Sequence, residues 1–86
     1  MAQVVMYVTG ICPYCHMAES LLRRKGVSVH KVRVDLDPSE RMVMLDRSNG
    51  RRTVPQIFIG DFHVGGFDDL AALDRAGQLD PLLTQP

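Results

Sequence analysis

The fold is decided by one stretch near the start of the chain, QVVMYVTGICPYCHMAESLL (residues 3–22). Its first part, residues 3–8, is mostly apolar and rich in β-branched side chains, which is typical of a buried strand. Pro13 suits the first turn of a helix because it lacks an amide hydrogen and has its φ angle already set. Apolar residues then recur at helical spacing. The stretch therefore predicts a strand, a short loop that carries Cys12, and a helix that carries Cys15.

A second strand and a second helix are expected next. Residues 29–34 alternate partly between apolar and charged side chains, and a crossover helix before them makes their strand parallel to the first. Asp37-Pro38-Ser39-Glu40 combines an N-cap, a proline at the first helical position and a carboxylate at the third, so a helix begins there. Residues 42–45 are expected to supply its buried side. We interpret the five methionines of the chain as core residues.

The last third of the chain predicts a hairpin and a third helix. Residues 54–59 form a third strand, and Gly60-Asp61 is a two-residue turn into an antiparallel fourth strand at residues 62–64. The third helix begins around Asp68 and ends at Gly77, and Asp80-Pro81 begins a last turn. Its inner side is expected to consist of Leu70, Leu73 and Ala76.

The expected order is therefore β-α-β-α-β-β-α, in a single domain over residues 1–86. Helices interleaved with two parallel strands and followed by a hairpin predict an α/β fold with a four-stranded mixed sheet and helices on both faces.

Composition excludes several classes of function. Ten basic and ten acidic residues give a net charge of zero, so no bulk attraction to nucleic acid or anionic lipid is expected. No apolar run approaches the length of a bilayer, and the N-terminus lacks the features of a secretion signal. We therefore expect a cytoplasmic protein without nucleic-acid or membrane partners. Two thiols and three scattered histidines do not form a closed zinc site, so no metal is expected.

Cys12-Pro13-Tyr14-Cys15-His16 matches two sequence patterns, a Cys-x-x-Cys redox pair and the Cys-x-x-Cys-His of c-type haem attachment. Haem attachment needs export and a largely helical wrap, and neither is expected here. The strand-loop-helix context is the one in which a redox pair is found. We therefore interpret the pair as redox-active and His16 as a partly exposed residue in the first turn of the helix.

The position of each cysteine predicts its role. A thiolate is a much better nucleophile than a thiol, so a reactive site must favour negative charge on sulfur. Cys12 lies at the expected helix start, beside unpaired amide hydrogens and the positive end of the helix dipole, which should lower its pKa. Cys15 follows one turn later and is close enough to attack a mixed disulfide on Cys12. The sequence thus predicts that Cys12 attacks and Cys15 resolves.

Three motifs in order resemble those of the dithiol glutaredoxins of the Cys-Pro-Tyr-Cys type, in particular their bacterial members. They are Cys12-Pro13-Tyr14-Cys15, Thr53-Val54-Pro55 and Gly65-Gly66-Phe67-Asp68-Asp69, and the resemblance covers nearly the whole chain. It implies a thioredoxin-like fold and a thiol-disulfide oxidoreductase that uses glutathione as co-substrate, with no tightly bound cofactor. The implied partners are glutathione and disulfide-containing or glutathionylated proteins, and a monomer is expected.

The resemblance also implies a glutathione site. The residue before a cis proline, here Val54, would offer its backbone to the glutathione cysteine. Amides at the start of the third helix would bind the γ-glutamyl carboxylate, while Asp68 would face the ammonium group. Tyr14 would form an aromatic wall. The full set expected to contact glutathione is Tyr14, Arg52, Thr53, Val54, Pro55, Gly66, Phe67, Asp68 and Asp69.

The chain departs from the family pattern at two places. Many members carry a lysine a few residues before the first cysteine, but residues 8–11 contain no cation. Either the start of the helix is sufficient to stabilise the thiolate, or Arg51 or Arg52 supplies the charge, and of the two arginines we favour Arg52. Phe67 takes a position that is often small. Two other functions stay open: a carrier reduced by a flavoprotein thioredoxin reductase, and a dimeric scaffold for an iron-sulfur cluster.

Overall fold

The computed structural model describes residues 2–85 of the chain. Over this range the elements follow the predicted order, and the expected last turn is a short fourth helix. The elements are β1 (Val4–Val8), α1 (Pro13–Arg24), β2 (Val29–Arg33), α2 (Pro38–Arg47), β3 (Gln56–Ile59), β4 (Phe62–Gly65), α3 (Phe67–Arg75) and α4 (Leu79–Leu83).

The four strands form one mixed sheet in the order β2-β1-β3-β4, as predicted. β1 is parallel to β2 and antiparallel to β3, and β3 and β4 form the expected antiparallel hairpin. Ile59 lies opposite Phe62, so Gly60 and Asp61 make the predicted two-residue turn. β3 begins two residues later than expected, at Gln56. Pro55 has no amide hydrogen to donate to a strand ladder, which is consistent with the later start.

Helices cover both faces of the sheet. Alternate residues of the central strands point to opposite sides, so each central strand contributes side chains to the core on both faces. Met6 and Ile57 lie in a core cluster with residues of α1, α3 and α4, including Leu22 and Leu70. Phe58 lies in a second cluster that includes residues of β1 and α2. The expected α/β architecture of the thioredoxin type is confirmed. It places Cys12 just after the C-terminal end of β1, one of the two central strands of the sheet.

Two predictions about buried helix faces were wrong. Successive helical residues are about 100° apart, so four consecutive apolar residues cannot share one face. In α2, Met44 is fully buried, but Met42 is 65% and Val43 42% exposed. In α3, Leu70 is buried as expected, whereas Ala76 is exposed because it is the C-cap residue that ends the helix.

The methionines divide in the same way. Met6 and Met44 are core residues, while Met17 and Met42 are exposed on helix surfaces. Met1 lies outside the described residues.

Candidate active site

Cys12 and Cys15 lie at the N-terminus of α1 and are joined by a disulfide bond. Cys12 is the N-cap residue, with an extended backbone at φ −152° and ψ 93°. The Cys15 amide donates to Cys12 Sγ at 3.1 Å. An amide aimed at this sulfur, together with the positive end of the helix, stabilises negative charge there once the disulfide is reduced. The predicted placement of Cys12 at the helix start is therefore confirmed.

The surroundings of the disulfide differ in exposure. Cys12 and Cys15 are 7% and 6% exposed, whereas the neighbouring Ile11 is 93% and Tyr14 58% exposed. His16 is exposed on α1, as expected. The sulfurs thus lie at the edge of the core beside an accessible apolar rim.

A groove with a volume of about 440 Å³ collects most of the residues expected to bind glutathione. The rings of Tyr14 and Phe67, which both line the groove, stack on each other with centroids 6.2 Å apart and planes 29° apart. This pairing gives the large side chain of Phe67 a partner at one wall of the groove. The lining residues are Tyr14, Arg51, Thr53, Val54, Pro55, Gly66, Phe67, Asp68 and Asp69.

The cation in this groove is Arg51 rather than Arg52. Arg51 Nη1 lies 3.3 Å from Asp69 Oδ2, and both side chains are close to half exposed. The Ser48 hydroxyl donates to the Arg51 carbonyl at 3.1 Å, which fixes the backbone from the buried side. Arg52 is exposed and is not among the lining residues. Neighbouring residues in an extended segment point in opposite directions, so the groove receives one of the two arginines.

The two aspartates at the start of α3 differ in their contacts. Asp69 accepts a hydrogen bond from the Gly66 amide at 2.9 Å and also pairs with Arg51. This carboxylate therefore caps the helix and holds the arginine. Asp68 lines the groove with an exposed side chain. Gly65 lies at φ +110°, a backbone conformation that residues with a side chain rarely adopt, and a Cβ there would also displace the Asp69 carboxylate.

The Thr53-Val54-Pro55 segment forms one side of the same groove. The Val54-Pro55 peptide bond is cis, as the motif predicts. Val54 also packs against the core cluster that contains both cysteines, so this segment links the groove to the disulfide.

A contact that the sequence reading missed braces the loop before Cys12. The Gly10 amide donates to Asp35 Oδ2 at 3.1 Å. Arg33 holds the same carboxylate through two nitrogens at 2.7 and 2.8 Å, and this keeps the pKa of Asp35 well below its ordinary value. Because β1 and β2 are parallel neighbours, the residues that follow the two strands lie close together at the same end of the sheet. An acidic residue just after β2 was the signal for this contact.

Arg33 does not replace the missing lysine. Its guanidinium lies against Gly10, where a Cβ would come within 2.6 Å of Arg33 Nη2. However, the two contacts with Asp35 neutralise its charge, so the pair braces the loop without adding net positive charge beside Cys12. The start of α1, with the Cys15 amide on Cys12 Sγ, is the feature that stabilises negative charge there.

Between residues 2 and 85, no cluster of three or more histidine, cysteine or acidic side chains is placed to hold a metal ion. No helix within this range is long and apolar enough to cross a membrane.

The chain is similar in sequence and in structure to known proteins of one family. The family model described as Glutaredoxin matches residues 4–64. The chain is 54% identical to Glutaredoxin 3 of Escherichia coli (strain K12) over 83 residues, which cover 96% of this chain and 99% of that protein. The solution structure of glutaredoxin from Brucella melitensis is 49% identical with a TM-score of 0.83, over 96% of this chain and 89% of that one. The crystal structure of the buckwheat glutaredoxin-glutathione complex is 30% identical with a TM-score of 0.86, over 96% and 77%.

Proposed function

We propose a function from one premise: the chain belongs to the glutaredoxin family, a class of oxidoreductases. The proposed activity is that of a glutathione-dependent thiol-disulfide oxidoreductase that reduces protein disulfides and glutathione mixed disulfides through Cys12-Pro13-Tyr14-Cys15. The observation that carries the proposal is the Cys12–Cys15 disulfide at the start of a helix, beside a groove with both charged and aromatic walls.

With a glutathione mixed disulfide, one cysteine suffices. The Cys12 thiolate attacks the glutathione sulfur, the mixed S–S bond breaks, and the substrate leaves as a thiolate that takes a proton from water. A Cys12-glutathione disulfide remains. A second glutathione thiolate attacks its glutathione sulfur, which releases oxidised glutathione and restores Cys12. The Cys15 amide at Cys12 Sγ supports this route, because it stabilises the sulfur as attacking group and as leaving group.

With a protein disulfide, both cysteines act. The Cys12 thiolate attacks one sulfur of the protein disulfide, the S–S bond of the protein breaks, and its other sulfur leaves as a thiolate that takes a proton from water. The Cys15 thiolate then attacks Cys12 Sγ, which releases the first protein sulfur as a thiolate and closes the Cys12–Cys15 disulfide. Two glutathione molecules reopen that disulfide and leave as oxidised glutathione. The Cα atoms of the two cysteines lie 5.2 Å apart, within the range that disulfide formation requires.

The groove supplies complementary groups for glutathione, which carries two carboxylates and one ammonium group. Arg51 uses Nη1 on Asp69 and keeps further N–H donors for a carboxylate. Asp68 offers a negative charge to the ammonium group, and the amides at the start of α3 offer donors to the γ-glutamyl carboxylate. Tyr14 and Val54 complete the walls. The buckwheat protein, whose structure is similar, was crystallised as a glutathione complex, which supports this assignment.

Other expectations belong to the same proposal. We expect a single domain over residues 1–86 that acts as a monomer in the reducing cytoplasm, without a tightly bound cofactor. Its proposed partners besides glutathione are disulfide-containing and glutathionylated proteins, and neither nucleic acid nor a membrane is expected to bind.

The test is turnover with two substrates. Cys12→Ser should abolish the reduction of both a glutathionylated peptide and a protein disulfide. Cys15→Ser should keep the first activity and lose most of the second. Full deglutathionylation by the Cys12→Ser protein would contradict the proposal.

Two further measurements separate the alternatives. Faster turnover with thioredoxin reductase than with glutathione and glutathione reductase would favour a carrier of the thioredoxin type. A coloured, dimeric protein prepared without oxygen would favour an iron-sulfur scaffold.

A further inference from the structure

A buried side chain ties the Thr53–Pro55 segment of the groove to the core. Gln56 is fully buried, while Thr53 is exposed. Gln56 Nε2 donates to the Thr53 carbonyl at 3.0 Å and to Thr53 Oγ1 at 3.3 Å. Gln56 Oε1 lies 2.7 Å from His63 Nε2. Hydrogen bonds therefore link His63 in β4, Gln56 in β3 and Thr53 in the groove, and we call this series the hydrogen-bond chain.

The direction of every hydrogen bond in the hydrogen-bond chain is fixed by the Thr53 carbonyl at one end. The Thr53 carbonyl can only accept, so the Gln56 amide nitrogen must face it. Gln56 Oε1 then faces His63 and needs a donor, so His63 Nε2 carries the proton. The opposite orientation of the amide would place its oxygen against the Thr53 carbonyl oxygen. Only one orientation of the Gln56 amide therefore satisfies all of these hydrogen bonds, and this orientation specifies the position of Thr53.

His63, at the far end of the hydrogen-bond chain, packs against Phe58 of the second core cluster. The His63 ring stacks on Phe58, with centroids 4.7 Å apart and planes 19° apart. The Arg47 guanidinium lies 4.0 Å from the centroid of the Phe58 ring and donates to the Tyr7 hydroxyl at 3.0 Å. The stacking on Phe58 supports the His63 ring in its position beside Gln56, and Arg47 in turn packs on Phe58. The groove segment is thus linked to a rigid part of the fold.

The ring of His63 is neutral near pH 7. Burial, and to a smaller extent the nearby Arg51 and Arg47 guanidinium groups, hold the pKa of His63 below its ordinary value, against a smaller opposing effect of Asp69. A neutral ring has one N–H, and the hydrogen-bond chain places it on Nε2.

We propose that Gln56 and His63 are positioning residues for glutathione. They hold Thr53-Val54-Pro55 in the position that presents the Val54 backbone to the ligand, without contacting the ligand or the reacting sulfurs. This inference rests on the proposed function. It adds two residues, seven apart in sequence, that support the groove through the hydrogen-bond chain to Thr53.

The test compares substitutions at Gln56 that keep its size. Gln56→Met removes every hydrogen bond of the chain, and Gln56→Glu places a carboxylate oxygen against the Thr53 carbonyl. Both should raise the KM for a glutathionylated peptide, by about tenfold for the loss of one to two hydrogen bonds. The kcat should stay nearly unchanged, because the groove and not the sulfur chemistry is altered. His63→Phe keeps the ring stacking and should raise the KM less than Gln56→Met does.

Leu83→Ala is the matched control, because Leu83 is a buried residue of α4 in the first core cluster and takes no part in the hydrogen-bond chain. It should lower stability without raising the KM. The inference is overturned if Gln56→Met and His63→Phe leave the KM unchanged, or if Leu83→Ala raises it equally. If Gln56→Glu does not fold, the other two variants still decide. Failure of the proposed function looks different, since the unmodified protein would then not turn over the glutathionylated peptide.

Discussion

Replacement of Arg51 by alanine separates the groove cation from its neighbour Arg52. The Arg51–Asp69 pair is about half exposed, with its charged atoms 3.3 Å apart. Exposed ion pairs contribute about 0–1 kcal/mol, so Arg51→Ala should change the free energy of unfolding by less than about 1 kcal/mol. Asp69 also keeps its hydrogen bond from the Gly66 amide.

The effect on glutathione should be larger than the effect on stability. A hydrogen bond to a charged group contributes about 1.5–3 kcal/mol, and every 1.4 kcal/mol is tenfold in affinity. Solvent screening at an exposed site favours the lower end of that range. We therefore expect Arg51→Ala to raise the KM for a glutathionylated peptide about tenfold, with an effect that shrinks as salt is added.

The assay is steady-state turnover of the glutathionylated peptide, coupled to glutathione reductase, with urea unfolding as the stability measurement. Arg52→Ala removes the same charge from the adjacent exposed residue and is the matched control; its KM should stay close to that of the unmodified protein. A higher KM for Arg52→Ala with no change for Arg51→Ala would refute the placement of the cation. It would also restore the expectation drawn from the sequence.

Three other predictions follow from contacts outside the groove. Asp35→Ala removes the acceptor of the Gly10 amide, which should exchange its hydrogen about tenfold faster by NMR; an unchanged rate would show that this hydrogen bond does not hold the loop. Met44→Ala should cost about 2–5 kcal/mol in urea unfolding, against less than about 0.5 for the exposed Met42→Ala, and equal losses would contradict the burial of α2. Because the pKa of His63 is lowered in the folded state, the unfolded state binds more protons, so stability should fall as the pH drops below about 6.5. His63→Phe should remove this part of the pH dependence, and a pH profile identical to that of the unmodified protein would contradict it.

The start of the chain carried most of the information about the fold. Residues 3–22 change from a strand-like to a helix-like pattern within a few positions, and Pro13 marks the boundary. That local signal predicted the N-cap position of Cys12 correctly. Asp37 likewise predicted its own helix start, because capping is a contact between residues close in sequence.

Contacts between distant residues could not be predicted in this way. The choice between Arg51 and Arg52 depends on which way one segment of backbone faces, and the sequence does not specify that direction. The contact of Gln56 with His63 depends on the register of the β3–β4 hairpin, which shifts irregularly at Ile57 and Phe58. A one-residue change of register reverses the face of every side chain, so this pairing is visible only in three dimensions.

The central claim is that Cys12 takes up glutathione during turnover. Intact-mass spectrometry of the Cys15→Ser protein after reaction with a glutathionylated peptide tests it most directly, because this variant keeps the attacking sulfur and cannot resolve the intermediate. We predict that the protein gains the mass of one glutathione and that peptide mapping places it on Cys12, while the Cys12→Ser protein gains none. Attachment of the peptide instead of glutathione, or an adduct on the Cys12→Ser protein, would contradict the claim.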